Sequence, residues 1–286
     1  MIMKGFREKL KVLITVKTYP IPSSKYDELV CTAGVTEAGE FIRLYPINFR
    51  DLDYTKKYRK YQWIEVFAEK HEGRDKRKES YLPDCDSIKI LGDPIPTNKG
   101  DWSERAKFAL AKKSISMEQL YEKQNLDHTS LGIFKPKNVH DLIISPDDSE
   151  WPPKFLNALK QQRFFENRQN TFVPPRKVPF KFHYHFECDD TRCNKNHKMM
   201  IEDWEVGALF WKMVDNGDSY EEASKKVRDK FLNELCGSDK DTHFYVGTIL
   251  GYQTWVIIGV FYPKIKTQKD KSVKELSLFN HTKKED

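Results

Sequence analysis

The side chains best suited to metal or acid–base chemistry fall in one stretch, "FHYHFECDDTRCNKNHKMMIEDWE", residues 182–205. It contains the pattern C-x4-C-x3-H, formed by Cys188, Cys193 and His197. Two thiolates and an imidazole are three of the four ligands of a structural zinc site, and a catalytic zinc is disfavoured because it would need an open position. The fourth ligand is undecided among His185, His183 and Cys31. The spacing predicts either a structural zinc site or two ordinary cysteines beside solvated histidines.

Two acids close the same stretch, Asp203 and Glu205. With His197 nearby, they could act as the general acid and base of a hydrolase, so Glu205, Asp203 and His197 are the catalytic candidates. In the competing interpretation Asp203 is the N-cap of the next helix and Glu205 lies in its first turn, where the helix dipole favours acids. Capping is the favoured role for Asp203, while Glu205 is less well explained.

A second kind of chemistry is indicated where basic and aromatic residues alternate, in residues 48–63 and 72–81. Cations contact phosphates and aromatic rings stack on bases. In "FIRLYPI", Arg43 lies on the same strand face as Phe41 and Tyr45, which predicts a stacking platform. The predicted nucleic-acid-binding residues are Arg43, Tyr45, Arg50, Lys56, Lys57, Arg59, Lys60, Arg74 and Arg77. The alternative is that the rings pack in the interior and the lysines cover them.

Period-two alternation predicts the elements that carry these residues in the N-terminal part. It recurs in "KVLITVKTYP", "FIRLYPI" and "WIEVFAEK", and "LVCTAGV" and "SIKILG" predict two further strands. Turn-forming residues separate these segments. Residues 1–95 are therefore expected to form a small β-barrel-like or twisted-sheet domain that binds nucleic acid.

The rest of the chain changes character twice. Residues 96–170 are predicted to be helical, with capping boxes at "DWSE" and "SMEQ" and a third helix after Pro152 and Pro153. Residues 171–263 predict an α+β domain that contains the Cys/His cluster, a helix capped by Ser219 and Glu222, and a hairpin whose second strand, "WVIIGVF", is central in a covered sheet. Residues 264–286 are expected to be a flexible basic tail. The predicted fold class is α+β.

The composition and the absence of several motifs exclude some classes of protein. The chain has 286 residues, a formal charge of +6 and five cysteines, an odd number that argues against a secreted disulfide framework. The N-terminus does not resemble a signal peptide and no apolar run reaches about 18 residues, so we expect a cytoplasmic protein with no membrane partner. Walker A, dinucleotide-binding, serine-esterase, zincin and zinc-deaminase motifs are absent from the sequence.

Three function hypotheses follow. The first is a non-catalytic reader of single-stranded or modified nucleic acid, DNA or RNA, with zinc as a structural clip. The second is a hydrolase acting on DNA, either a base-excising glycosylase or a nuclease, that uses Glu205 or Asp203. A glycosylase needs little more than an aromatic pocket and one acid, so it would leave only a faint motif. The third is a protein-interaction module, which is favoured only if the tyrosines of residues 54–61 are buried.

Overall fold

The structure is a computed structural model that describes residues 7–23, 25–71, 75–98, 100–157, 173–251 and 254–265. Arg74, the tail 266–286 and most of the helix predicted after Pro153 lie outside the described residues, although 153–157 are helical. The fold is α+β, as predicted. Within the described ranges, no helix combines the length and apolar character needed to cross a membrane.

The N-terminal part is a closed five-stranded β-barrel, which confirms the more specific of the two expectations for this region. Its strands are β1 (Arg7–Lys17), β3 (Asp27–Val35), β4 (Phe41–Ile47), β5 (Trp63–Lys70) and β6 (Ser80–Pro83). They follow the order β1–β3–β4–β6–β5, and β5 pairs with β1 to close the barrel. All barrel pairings are antiparallel except that of β4 with β6.

Two short strands and two single 3-10 turns complete this part. β2 (Ile21–Ser23) pairs with β3, and β7 (Lys89–Leu91) pairs with β5, while the turns cover Tyr54–Lys56 and Cys85–Ser87. The sequence did not predict β6, because "SYLP" is too short to show an alternation and follows a charged run. This strand nevertheless joins β4 to β5 within the closed barrel.

Apolar side chains of the barrel strands are buried on part of the outer face of the barrel as well as on its inner face. Alternate residues of β1, such as Val12 and Ile14, lie in the barrel core. Val16 lies instead in a second core together with Ala33 of β3 and residues of the C-terminal region. A Cβ at Gly259 would come within 2.4 Å of Val16 Cγ1, so glycine permits this close packing. One outer face of the barrel is therefore an internal interface.

The middle of the chain is only partly helical, unlike the prediction. Helices α1 (Ser103–Ala109) and α2 (Met117–Asp127) are present, but they are followed by strands β8 (Leu131–Phe134) and β9 (Asn138–Pro146). Ser116 caps α2 by accepting a hydrogen bond from Gln119 N at 3.2 Å. The "DWSE" box is not formed, because Asp101 instead accepts the Ser103 backbone N–H at 3.0 Å. β8 and β9 are strands because each pairs with a strand distant in sequence.

The C-terminal region contains two three-stranded sheets. One has the order β11–β10–β9, with β10 at Phe180–Glu187 and β11 at His197–Met200. The other has the order β13–β12–β8, with β12 at His243–Thr248 and β13 at Trp255–Phe261. β13 is buried on both faces as predicted, but β12 is the central strand.

Two helices pack on these sheets, α3 (Trp204–Asp215) and α4 (Tyr220–Arg228), and α4 continues into a π-helical segment, Asp229–Glu234. The predicted capping box of Ser219 and Glu222 is present in both directions. The predicted apolar stripe from Ala223 to Leu235 is buried in the main core of this region. The first turn of α3 lies at the junction with the barrel, where Trp204 packs on Phe49 with ring centroids 5.5 Å apart.

Candidate functional site

A cavity of about 480 Å³ lies where the barrel, the segment before and within α1, and the C-terminal region meet. We call it the junction cavity. Its lining combines cationic, aromatic and small side chains with a single carboxylate: Lys17, Arg59, Lys60, Tyr61, Pro94, Thr97, Trp102, Arg105, Trp204, Glu205, Val260 and Tyr262. Four cations and four aromatic rings therefore surround one acid.

Lys60 is the centre of the ionic contacts beside the cavity. Its Nζ lies 3.2 Å from both carboxylate oxygens of Asp203, whose side chain is fully buried, and 3.0 Å from Glu205 Oε2. Asp203 also accepts the Glu205 backbone N–H at 3.1 Å and is the N-cap of α3. Asp203 thus has the capping role favoured from sequence and also holds Lys60 in place.

Burial and neighbouring charges shift the pKa values of this group. Burial raises the pKa of Asp203 to about 6, and the attraction of Lys60 opposes that rise. Burial disfavours the Lys60 ammonium, yet its pKa is raised because two carboxylates face it. Burial and repulsion from Lys60 lower the pKa of Lys17 to about 8. Lys17 is therefore the cavity cation that titrates closest to neutral pH.

The aromatic rings of the cavity form two walls. Trp102 contacts Tyr262 with ring centroids 4.8 Å apart, and the Arg105 guanidinium lies 4.2 Å from the centroid of the Tyr61 ring. The ring of Trp204 packs instead on Phe49, with centroids 5.5 Å apart, and lies 5.0 Å from Lys17 Nζ. The walls come from different parts of the chain, so the cavity depends on the docking of the barrel on the C-terminal region.

Arg43 is not a stacking platform. Its side chain is fully buried, and its guanidinium donates to Ser130 Oγ at 2.6 Å and to the Ser130 carbonyl at 2.8 Å. The alternation in "FIRLYPI" correctly separated the two faces of β4, but the face expected to be exposed is covered by the C-terminal region. We therefore correct the predicted role of Arg43 from base stacking to interface packing.

The other predicted nucleic-acid-binding residues divide into three groups. Only Arg59 and Lys60 line the junction cavity. Three basic residues pair with carboxylates: Arg50 with Glu28, Lys56 with Asp86 and Arg77 with Asp75. Lys57 is exposed and donates to the Arg50 carbonyl, Tyr45 is half-buried, and Arg74 lies outside the described residues. The basic stretch as a whole is not one binding face.

The tyrosines between residues 54 and 61 are mostly buried. Their burial was the condition under which the sequence would favour a protein-interaction module. Tyr58 packs on Phe49 and is hydrogen-bonded to Thr32 at 2.7 Å, and Tyr61 packs on Trp102. Tyr54 is 89% exposed. Because the partners of the buried rings belong to this same chain, their burial reflects the fold and requires no protein partner.

A second cluster, which we call the thiol cluster, consists of Glu118, Cys188, Cys193 and His197. One ligand atom from each residue lies within 4.8 Å of the others. His197 Nε2 lies 3.0 Å from Glu118 Oε1 and 3.3 Å from Cys193 Sγ. The cluster is a group that could hold a metal ion. Burial raises the pKa of the Cys188 thiol to about 12.

The structure changes two predictions at this cluster. Glu118 of α2 is the fourth member of the cluster, whereas the His185 ring packs at a tilt against His140 with ring centroids 5.0 Å apart. The three catalytic candidates are also divided: His197 belongs to the thiol cluster, while Asp203 and Glu205 contact Lys60. A catalytic group that joins His197 to these two acids is therefore not formed.

Several cavity and cluster residues could not be found from sequence. Glu118 lay inside a segment already explained as a helix cap, and Lys17 at the end of a regular strand. Trp102 is the N-cap of α1 and Arg105 lies within that helix, and both follow the two basic segments in sequence. No local spacing relates these residues, because tertiary packing alone brings them together.

Comparison with known proteins identifies two families along the chain. Residues 112–283 match the family described as a domain of unknown function, DUF8757, and residues 8–111 match a second one, DUF8758. No curated protein matches the chain significantly.

Among solved structures, a chain from "Structure and Conformational Change of a Replication Protein A Heterotrimer Bound to ssDNA" aligns with 97% of this chain and 70% of its own length. The aligned chains share 8% sequence identity with a TM-score of 0.24, a likeness too slight to bear on fold or function. The family assignment rests on sequence: since the first family match covers more than half of its residues, the chain belongs to the DUF8757 family.

Proposed function

We propose that this protein binds single-stranded nucleic acid and holds one nucleotide of the strand in the junction cavity. The observation that carries the proposal is the lining: four cations and four aromatic rings around one carboxylate. Cations attract the phosphate backbone, and aromatic rings stack on bases of any sequence. A volume of about 480 Å³ is within the usual range for small-ligand sites and suits a single nucleotide.

The phosphate would lie on the side of Arg59. Its side chain is 72% exposed, and its ion pair with Asp93 is long, at 4.0 Å, with Asp93 itself 98% exposed. Such a pair contributes little and competes weakly with a phosphate. Arg105 is fixed against Tyr61 and donates its Nε–H to the Ile95 carbonyl at 2.7 Å. These two guanidiniums offer planar donors that match phosphate geometry.

The base would lie between the two aromatic walls. Trp102 and Trp204 are both half-buried, so each ring keeps part of its surface towards the cavity. Lys17 Nζ lies 3.8 Å from the centroid of the Phe49 ring and 5.0 Å from that of the Trp204 ring. A base stacked on Trp204 would therefore have a cation close to it, and cations are attracted to the electron-rich face of an aromatic ring.

The barrel topology supports the proposal by analogy only. Its strand order, with one parallel pair, is that of an OB-fold, a class whose members bind oligonucleotides and oligosaccharides. In that class the face of the second and third strands contributes to binding. In this protein that face carries Ala33 and Arg43 and is covered by the C-terminal region. The proposed site is instead at the edge of the covered interface.

The test is a salt titration of binding to fluorescent single-stranded DNA and RNA, with duplex DNA in parallel, using the full chain. Arg59→Ala/Arg105→Ala should weaken single-strand binding and reduce the slope of log K against log salt by about one to two. The matched control is Lys76→Ala/Lys89→Ala, which removes two exposed cations that do not line the cavity. Equal slopes for the two double variants would overturn the proposal.

A base-excising reaction is the second candidate, because Glu205 is the one carboxylate of the lining and its side chain is 50% exposed. An acid beside a stacked base could donate or accept a proton during bond cleavage. Glu205 is already paired with Lys60 at 3.0 Å, which favours the binding role over the catalytic one. Alkali-labile sites in labelled DNA after incubation with the full chain would support excision, and Glu205→Gln should then remove them.

A further inference from the structure

The thiol cluster contains a buried acceptor that the protein leaves unpaired. Glu118 Oε1 faces His197 Nε2, while Glu118 Oε2 is buried and has no hydrogen-bond partner. The Glu118 side chain is only 13% exposed. A buried carboxylate oxygen without a donor is costly, and the usual remedy is a donor or a cation. Among the described residues, no hydrogen-bond donor meets Glu118 Oε2.

Backbone N–H groups donate to both cysteine sulfurs and oppose the effect of burial, which disfavours the Cys188 thiolate. Cys188 Sγ accepts the Met117 N–H at 3.4 Å, and Cys193 Sγ accepts the N–H groups of Cys188 and Lys195, each at 3.3 Å. Hydrogen bonds to the charged form of a group favour that form. Lys195 has φ of 60°, a left-handed conformation that a lysine rarely adopts, and this conformation is part of the turn that directs its N–H at the sulfur.

We propose that this cluster binds one zinc ion, with Cys188, Cys193, His197 and Glu118 as its four ligands. Two thiolates, one imidazole and one carboxylate form a borderline-soft donor set that suits zinc better than magnesium or calcium. All four positions are filled by side chains of the chain itself, so the zinc is structural and has no open position for a substrate. The proposal goes beyond nucleic-acid binding, because the cluster shares no residue with the junction cavity.

The zinc would fasten the start of α2 to the β10–β11 turn. The two segments already meet there: Ser116 donates to Asp190 at 2.6 Å, and Arg192 pairs with both Asp190 and Glu122. The Arg192 pair with Glu122 lies at the surface and contributes little by itself, whereas the Ser116–Asp190 hydrogen bond is largely buried. A metal joining Glu118 to the turn would be the strong connection between α2 and the sheet that carries β10.

The test starts with the metal content of the full chain, purified without a tag, by elemental analysis. We expect about one zinc per chain, and Cys193→Ser should lose it. His185→Gln is the matched control because the His185 ring packs against His140, outside the cluster, and this variant should keep its zinc. Metal-free wild type with a melting temperature unchanged by added zinc would overturn the proposal, and so would loss of zinc in His185→Gln.

Replacing zinc with cobalt tests which side chains are ligands, even if Cys193→Ser folds poorly. Wild type reconstituted with Co²⁺ should show the visible absorption of tetrahedral cobalt and a thiolate-to-cobalt charge-transfer band. Glu118→Gln removes only a charge, so it should keep the thiolate band but bind Co²⁺ at least tenfold more weakly in competition with a chelator. Cobalt affinity equal to that of wild type would show that Glu118 is not a ligand.

Discussion

The junction cavity and the thiol cluster both gather ionisable side chains from distant parts of the chain, but they arrange them differently. In the thiol cluster, four ligand atoms converge within 4.8 Å and one buried oxygen has no partner. In the junction cavity, Lys60 is already paired with two carboxylates, and the remaining cations are spread around a space of about 480 Å³. The first geometry suits a single ion, and the second suits a larger anion with a flat ring.

The comparison also separates stability from binding. The thiol cluster lies within the C-terminal core and α2, so its loss should affect folding first. The junction cavity lies at the docked edge of the barrel, where exposed groups such as Arg59 contribute little to stability. Four experiments test this division, in order of decreasing effect.

The largest effect is expected for Cys188→Ser. It removes a proposed zinc ligand from the core, and zinc binding is worth roughly 10–16 kcal/mol in small zinc-finger peptides, so a loss of at least about 3 kcal/mol of unfolding free energy is expected. Thermal and urea unfolding measure it. Cys85→Ser is the control, because Cys85 is a half-buried cysteine of the barrel and should cost far less. Equal losses in the two variants would remove the distinction between the cluster and an ordinary cysteine.

Next in size is Lys60→Met, which leaves the buried carboxylate of Asp203 without its cation. Breaking a buried pair by removing one partner typically costs about 3–5 kcal/mol. Arg59→Ala, one residue away and 72% exposed, should stay within about 0.5 kcal/mol of wild type. Urea unfolding of both variants tests the contrast, and a small loss for Lys60→Met would mean that Asp203 is hydrated or protonated.

A smaller effect concerns the pH dependence of binding. The pKa of Lys17 is lowered to about 8 in the folded protein, so the free protein loses this charge as pH rises through 8. A phosphate favours the charged form, so binding must then take up a proton, and affinity should fall by up to about tenfold per pH unit above 8. Lys17→Arg keeps its charge and should flatten the profile between pH 7.5 and about 9.5. An identical profile in both proteins would place the phosphate away from Lys17.

The lowered pKa of Lys17 affects stability in the opposite direction: binding weakens as pH rises, whereas the folded protein becomes more stable. Between the folded pKa of about 8 and the ordinary value of 10.5, the unfolded chain holds more protons on Lys17 than the folded protein does. The Lys17 contribution to unfolding free energy should therefore rise with pH across that window. Measuring binding and unfolding at the same pH values separates the loss of affinity from any change in folding.

The smallest effect is expected for Glu205→Gln. If Glu205 only complements the start of α3 and pairs with Lys60, the change should cost about 0.3–1 kcal/mol of stability and leave nucleic-acid affinity similar or slightly higher. Glu221→Gln is the matched control, since Glu221 is an exposed acid in the first turn of α4 and does not line the cavity. An orders-of-magnitude loss of DNA cleavage in Glu205→Gln, with binding retained, would instead make the cavity an active site.

Local patterns in the sequence determined most of the elements of this fold. Alternation located three of the five barrel strands and "LVCTAGV" indicated a fourth, the capping box located α4, and Asp203 was correctly placed at the start of α3. The same reasoning placed Cys188, Cys193 and His197 close together, because all three lie within ten residues. These features depend on backbone periodicity and short-range hydrogen bonds, which a sequence displays directly.

Only the tertiary structure showed which surfaces of the barrel are covered and which distant residues meet. Arg43 and the apolar outer residues of β1 and β3 look exposed in a single barrel, but the C-terminal region covers them. Docking also brought Lys17, Trp102, Arg105 and Glu205 around one cavity, and Glu118 to the cysteines. The physical reason is that period-two alternation distinguishes the two faces of a strand, whereas the partner that covers a face is chosen by long-range packing that no local spacing encodes.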